Sequence, residues 1–331
     1  MKINLSKLLF LTTLVMGTLI TITSKSWVLM WIGLEMNLLS FIPMMSSNKN
    51  PYENEAAMKY FITQAMASLI LLASVLSSCM FEINYLLINS VLLSSLFTKM
   101  GASPFHLWFP MVMQGMTWKN AFILMTWQKI APMMMMAYQL QNNMLTNFVI
   151  LMSVIVGAMG GFNQTSLRKL MAYSSIGHLG WLILAMLMGI KYWFIYFTVY
   201  TVLIIAVMII LSMNSLFYLP QIFLLKQKSY NKMILFISML SLGGMPPFLG
   251  FLPKWMIIQN NAENENFIMI TIMVMVTMIT LFYYLRMMYS AFTFYNQTTI
   301  WENSSKSLTL MTLSMSISMM GIPIMCYVNL Y

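Results

Sequence analysis

WIGLEMNLLSF, residues 31–41, decides the fold. It sets one carboxylate, Glu35, in the middle of an apolar run over 26–46. A run of that length is a membrane span, since crossing a bilayer takes roughly 20 apolar residues. A charge at the centre of such a span costs about 2.5–3.5 kcal/mol on insertion scales. The rest of the chain has the same character: 331 residues, 60% hydrophobic and 7% charged. A soluble domain carries about 25% charged residues. The 17 basic and seven acidic side chains are too few to cover a chain of this size in water, so lipid must be the main solvent.

Apolar runs recur at 5–23, 26–46, 57–80, 84–107, 118–140, 143–161, 167–188, 192–217, 232–258, 267–292 and 307–329. We read an all-α integral membrane protein of about eleven transmembrane helices. The gaps, such as 46–56 and 220–231, are too short for a soluble domain. They hold neither a phosphate-binding loop nor a glycine-rich dinucleotide motif. Met1-Lys2 and the run behind it resemble a secretion signal, but no small-residue cleavage site follows at 21–25, so the run is expected to stay as the first span.

The net charge of +10 is scattered singly between apolar runs, which argues against nucleic acid. Alternate gaps separate it. Lys2, Lys7, Lys49, Lys59, Lys119, Arg168, Lys169, Lys226, Lys228, Lys232, Arg286 and Lys306 fall on one side, and Lys25 and Lys191 on the other. By the positive-inside rule the N-terminus faces the cytoplasm-like side and the C-terminus the opposite one. Cys79 and Cys326 are far apart in apolar context and are read as small buried hydrophobes. The 41 methionines, Met133 to Met136 among them, are read as apolar filler in lipid-facing helices.

Lys99, Lys129 and Lys254 join Glu35 inside predicted spans, in LFTKMGASPFHLWFP (96–110), MTWQKIAP (125–132) and LGGMPPFLGFLPKW (242–255). Together the four represent about 10 kcal/mol or more of insertion cost, and intramembrane charges by default face a bundle interior and mark ion paths. Ser95, Lys99 and Ser103 have the spacing of one helical stripe. Ser174 and His178 stand four apart in the seventh span. Other roles stay open: Lys254 near an interface, Glu35 as a hydrogen-bonded acid, His178 as a packing group. Pro104, Pro132 and the Gly243, Gly244, Pro246, Pro247 cluster are expected to break helices beside the lysines. Breaks in the fourth and ninth spans, five helices apart, suggest two inverted five-helix repeats with discontinuous helices, 1–140 and 143–292, with 307–329 as an extra C-terminal helix.

Lysine releases a proton where arginine does not, and all three mid-span cations are lysines. Moving one charge against 100 mV takes about 2.3 kcal/mol, matched by a change of about 1.7 pKa units in the carrying group. We therefore expect a proton path from Glu35 and Lys99 past Lys129 and His178 to Lys254. A free-standing sodium carrier would present paired intramembrane carboxylates, and this chain has no Asp.

WIGLEMNLLSF (31–41), FTKMGASPFHLWFP (97–110), WQKIAP (127–132), GGFNQTSLRKLMAYSSIGHLGW (160–181) and LGGMPPFLGFLPKW (242–255) stand in order along a chain that resembles, over essentially its whole length, the NADH–ubiquinone oxidoreductase chain 2 family. These are antiporter-like membrane-arm subunits of mitochondrial respiratory complex I, and the likeness is to the short animal form. The resemblance implies a proton relay on Glu35, Lys99, Lys129, His178 and Lys254, with His106 also typical and its role open between positioning and proton entry. It implies the mitochondrial inner membrane, with the N-terminus in the matrix and the C-terminus in the intermembrane space. It implies a subunit of a proton-translocating NADH:ubiquinone reductase that has no redox site of its own. NADH, FMN, iron–sulfur clusters and ubiquinone would be bound by other subunits. The partners implied are other membrane-arm subunits and membrane lipids, with no nucleic acid.

Overall fold

The computed structural model describes residues 5–46, 50–80, 85–223 and 229–293, with Thr312, Met315, Ser316 and 318–320 beyond them. The span expected at 307–329 and Cys326 thus lie almost wholly or wholly outside the described residues, as do Met1 and Lys2. The helices in chain order are α1 (Leu5–Thr23), α2 (Trp27–Met45), α3 (Pro51–Met80), α4 (Tyr85–Met100), α5 (Trp108–Gly115), α6 (Trp118–Met125), α7 (Trp127–Ala137), α8 (Met144–Phe162), α9 (Leu167–Met188), α10 (Ile190–Met213), α11 (Leu219–Phe223), α12 (Ser229–Gly243), α13 (Phe251–Glu263) and α14 (Phe267–Thr293). Among the described residues there is no sheet, and β structure is limited to an isolated bridge between Ser166 and Tyr218. α1, α2, α3, α8, α9, α10 and α14 are each long and apolar enough to cross a bilayer.

The remaining apolar runs are divided. The run at 84–107 ends as α helix at Met100, where Gly101 takes φ +75°, a left-handed turn that a β-carbon disfavours. Residues 108–115, read from the sequence as part of a gap, form α5. The run at 232–258 is split into α12 and α13 by Gly244, at φ +80°, with Pro246 and Pro247 behind it. The break expected at Pro132 is not there. Pro132 lies inside α7, and the interruption falls earlier, at Thr126 between α6 and α7. The Pro132 ring removes only the bond to the Gln128 carbonyl, in the first turn of a helix already entered from a break.

The chain divides into two compact units, Met1–Val149 and Ile150–Tyr331. In the first, α1 and α2 pack at backbone contact: a β-carbon on Gly17 would lie 2.9 Å from the Gly33 carbonyl oxygen. Small residues allow such approach where lipid gives helices no hydrophobic drive to associate. α7 is inner in this unit, packing against α1, α2, α4 and α6. Met133, Met135 and Met136 are accordingly fully buried, which corrects their reading as lipid-facing filler. Met16, Met58 and Met66 do face outward, and so does Cys79, which is exposed rather than buried.

In the second unit α9 is the central helix, buried along most of its length, whereas most of α14 is not. Its approach to α8 is again through glycine, with a β-carbon on Gly157 placed 2.5 Å from the Gly177 nitrogen. A backbone strap joins the entry to α9 with the exit from α10. Leu167 N donates to Phe217 O at 2.9 Å and Leu219 N to Thr165 O at 2.9 Å. These two chain segments therefore lie at the same end of the unit, and α9 and α10 run as an antiparallel pair.

Candidate functional site

Lys99 ends α4, where a helix leaves its last carbonyls without partners. Here side chains and turn amides supply them. Phe97 O accepts from Gly101 N at 3.0 Å and Ala102 N at 3.0 Å. Thr98 O accepts from the Trp108 indole Nε1 at 3.0 Å, and Lys99 O from Gln64 Nε2 at 3.1 Å. An open backbone end is tolerated in an apolar medium only on such terms. The negative end of the α4 dipole also favours a cation at this position. Lys99 is buried, and its Nζ stands 3.9 Å from Glu35 Oε1. That is an ion pair beyond hydrogen-bond length. Among the described residues Glu35 Oε1 has no hydrogen-bond partner, so the reading of Glu35 as a hydrogen-bonded acid finds no support at that oxygen.

Beside Lys99 lies a cavity of about 20 Å³, lined by Leu34, Asn37, Tyr60, Gln64, Lys99, Gln128 and Pro132 among others. One water needs roughly 10–15 Å³ on this measure and two to four polar neighbours. Gln128 Nε2 donates to Asn37 Oδ1 at 3.1 Å, and the Tyr60 hydroxyl donates to Gln128 Oε1 at 3.4 Å. Lys129, the next residue, sits in the first turn of α7 at 1% exposure, with its Nζ 5.7 Å from the Phe109 ring centroid. A cation over an aromatic face is attracted by the ring quadrupole.

One expectation for this unit is corrected. Ser103 lies beyond the end of α4, so the stripe of Ser95, Lys99 and Ser103 stops at Lys99. Ser95 spends its hydroxyl on Leu92 O at 2.7 Å, and Ser103 Oγ is buried with no partner among the described residues. Pro104 and His106 stand in the turn between α4 and α5, with His106 Nδ1 3.2 Å from Pro104 O.

In the second unit Lys254 occupies the first turn of α13 and reaches back across the break. Its Nζ donates to Gly243 O, the last carbonyl of α12, at 2.9 Å. It is buried, 5.9 Å from the Trp181 ring centroid, so it does not reach for an interface. Gly244 makes the approach possible: a β-carbon there would stand 2.9 Å from Lys254 Nζ. His178 is buried on α9, with its Nδ1 2.9 Å from the Tyr196 hydroxyl and its ring 5.0 Å from that of Tyr200. His178 and Lys254 line one cavity of about 20 Å³ together with Ser174, Trp181, Thr277, Thr280 and two tyrosines, Tyr283 and Tyr284. Ser174 gives its hydroxyl to Met171 O at 2.8 Å. Pro246 and Pro247 lie in the α12–α13 connection that Lys254 spans.

Each unit thus holds a buried lysine at a helix break, with a cavity of water size beside it. Asn37, Tyr60, Gln64, Gln128 and Tyr196 were missed from the sequence. The available signal was weak: neutral polar side chains in mid-span, which cost less than a charge and are common packing groups.

The family described as "NADH:quinone oxidoreductase/Mrp antiporter, TM" matches residues 24–280. The chain is 48% identical over 308 residues to NADH-ubiquinone oxidoreductase chain 2 of Anopheles gambiae, covering 90% of this chain and 89% of that one. It is 47% identical to the protein of that name from Aedes aegypti, over 99% of both. Its fold is similar to a chain of the respiratory complex I of Thermus thermophilus, with a TM-score of 0.84 and 21% identity over 96% of this chain and 78% of that one. A chain of the Mrp complex of Dietzia is also similar, with a TM-score of 0.75 and 17% identity over 89% of this chain and 61% of that one.

Proposed function

The chain belongs to the NADH-ubiquinone oxidoreductase chain 2 family, and from that premise we propose that it is a proton-translocating core subunit of respiratory NADH:ubiquinone oxidoreductase. The relay comprises Glu35, Lys99 and Lys129 in the first unit and His178 and Lys254 in the second. One observation carries this reading: Lys99 and Lys254 are each buried at a helix break beside a cavity of about 20 Å³, room enough for one water. Among the described residues neither lysine is locked to a carboxylate at hydrogen-bond length. Lys99 has its carboxylate at 3.9 Å, and Lys254 rests on a backbone carbonyl.

In this reading the redox chemistry, with NADH, FMN, iron–sulfur clusters and ubiquinone, resides in other subunits. This chain lies in the mitochondrial inner membrane among other membrane-arm subunits and lipid. Its N-terminus faces the matrix and its C-terminus the intermembrane space. Residues 1–140 and 143–292 form the inverted repeats, each with a lysine at a broken helix, and 307–329 is the final helix. The Lys-rich side assigned from the sequence fits the strap between 165–167 and 217–219, which puts two of its connections at one end.

The test is Lys99→Met in the assembled complex, with assembly checked on a native gel. Protons pumped per NADH oxidised are expected to fall sharply at normal assembly. Unchanged pumping would mean that the lysines are inert and the chain is a scaffold.

A further inference from the structure

Gln128 has no part in the relay as drawn, yet it is the best-held polar side chain of the first cavity. Its amide is clasped on both sides, giving Nε2–H to Asn37 Oδ1 at 3.1 Å and taking the Tyr60 hydroxyl at Oε1 at 3.4 Å. Asn37, Tyr60 and Gln64 are buried, at 2%, 3% and 5% exposure, so no bulk water competes for them. The Gln64 orientation is settled by chemistry. Its Nε2 meets Lys99 O at 3.1 Å, and a carbonyl only accepts, so Gln64 Oε1 is left as an acceptor lining the same cavity. Pro132 also lines it, and having no N–H it cannot take the Gln128 carbonyl four residues back. The cavity thus sets neutral amide and hydroxyl groups, along with Leu34, Leu38 and Pro132, around one ammonium, and at about 20 Å³ it has room for a single water.

We propose that Gln128 is a positioning residue, whose clasped amide shapes a one-water site that solvates the Lys99 ammonium when Glu35 is out of hydrogen-bonding reach. The Glu35 carboxylate is already out of that reach at 3.9 Å. With no neutral acceptor at hand, loss of the carboxylate would leave the ammonium bare in a dry interior. A water held by fixed amides gives it a second resting state. Lys99 then alternates between a charged and a neutral partner without the helix moving. This rests on the reading of Lys99 as a relay group.

Two measurements on the assembled complex test it. A structure at a resolution that shows waters is expected to place one ordered water within about 3.2 Å of Lys99 Nζ, against Gln64 and Gln128. A dry or collapsed cavity overturns the proposal. In the second, Gln128→Leu is expected to slow proton pumping about tenfold, the weight of one well-made hydrogen bond, with assembly intact. Gln128→Asn, which keeps the amide and leaves room for another water, is expected to restore most of it. Normal pumping in Gln128→Leu, or no recovery in Gln128→Asn, overturns the proposal. Lys99→Met run in parallel separates the two levels. Should Lys99→Met pump normally, the relay itself fails. Should Lys99→Met fail to pump while Gln128→Leu pumps normally, only the role of Gln128 is lost.

Discussion

Lys254 illustrates how one side chain can be held as a cation away from bulk solvent. Its ammonium takes the carbonyl that the end of α12 leaves open, so two groups that would each be costly alone satisfy one another. The arrangement depends on Gly244, which combines φ +80° with the absence of a side chain beside Nζ. Gly244→Ala is expected to destabilise by more than about 1 kcal/mol, through left-handed strain and displacement of the lysine. It would show as a lower Tm of the purified complex and a loss of pumping larger than the loss of assembly. His178 makes a second case. Tyr196→Phe removes the 2.9 Å contact to Nδ1, worth about 1 kcal/mol. Because that contact orients the imidazole toward one tautomer, pumping is expected to fall further than stability. Equal losses in the two assays would make Tyr196 a packing residue only.

Helix breaks are the organising device at the scale of elements. α4 and α12 each stop at a glycine of positive φ, and the freed carbonyls are taken up by side chains from elsewhere in the same unit. Trp108→Phe keeps an aromatic ring, though a smaller one, and withdraws the indole N–H from Thr98 O. It is expected to cost about 1 kcal/mol and to loosen the turn that carries Pro104 and His106, read as faster hydrogen exchange over 97–108. The contact of α8 with α9 has no slack of this kind. A side chain at Gly157 would strike the α9 backbone, so Gly157→Ile is expected to destabilise by about 1–3 kcal/mol or more and to reduce the assembled complex on a native gel. Pro132 shows why breaks are hard to place from residue type alone. Pro132, the sixth residue of α7, forgoes its bond to the Gln128 carbonyl without ending the helix, and the interruption falls at Thr126, a residue with no breaking character of its own.

For the whole molecule, the division of charge between alternate gaps is the most far-reaching property. It follows from many residues at once and predicts orientation without any site. Cysteines placed at Lys25 or Lys191, both exposed, are expected to react with a membrane-impermeant thiol reagent added on the intermembrane side, after Cys79 is replaced by Ser. A cysteine at Lys119 is expected to react only once the matrix side is opened. The reverse pattern would invert the assigned topology. The two units share a feature, a buried lysine at a helix break beside a cavity of water size, and it is legible only when the chain is folded.

The membrane class, the spans with continuous apolar runs and the ionisable residues kept inside them followed from the sequence alone. The physics behind these is additive: each apolar residue and each buried charge carries its transfer free energy wherever it stands. Lys99, Lys129, Lys254, Glu35 and His178 could be picked out because charge in hydrocarbon is too costly to be incidental. Only the tertiary structure decided which carbonyl Lys254 holds, that Ser103 leaves the stripe of Lys99, that α7 keeps Pro132, and that Asn37, Tyr60, Gln64 and Gln128 meet round one cavity. Those outcomes depend on hydrogen bonds between residues as far as 91 positions apart, as in Gln128 to Asn37. No local pattern encodes such a bond, because its energy exists only after packing has excluded water from both partners.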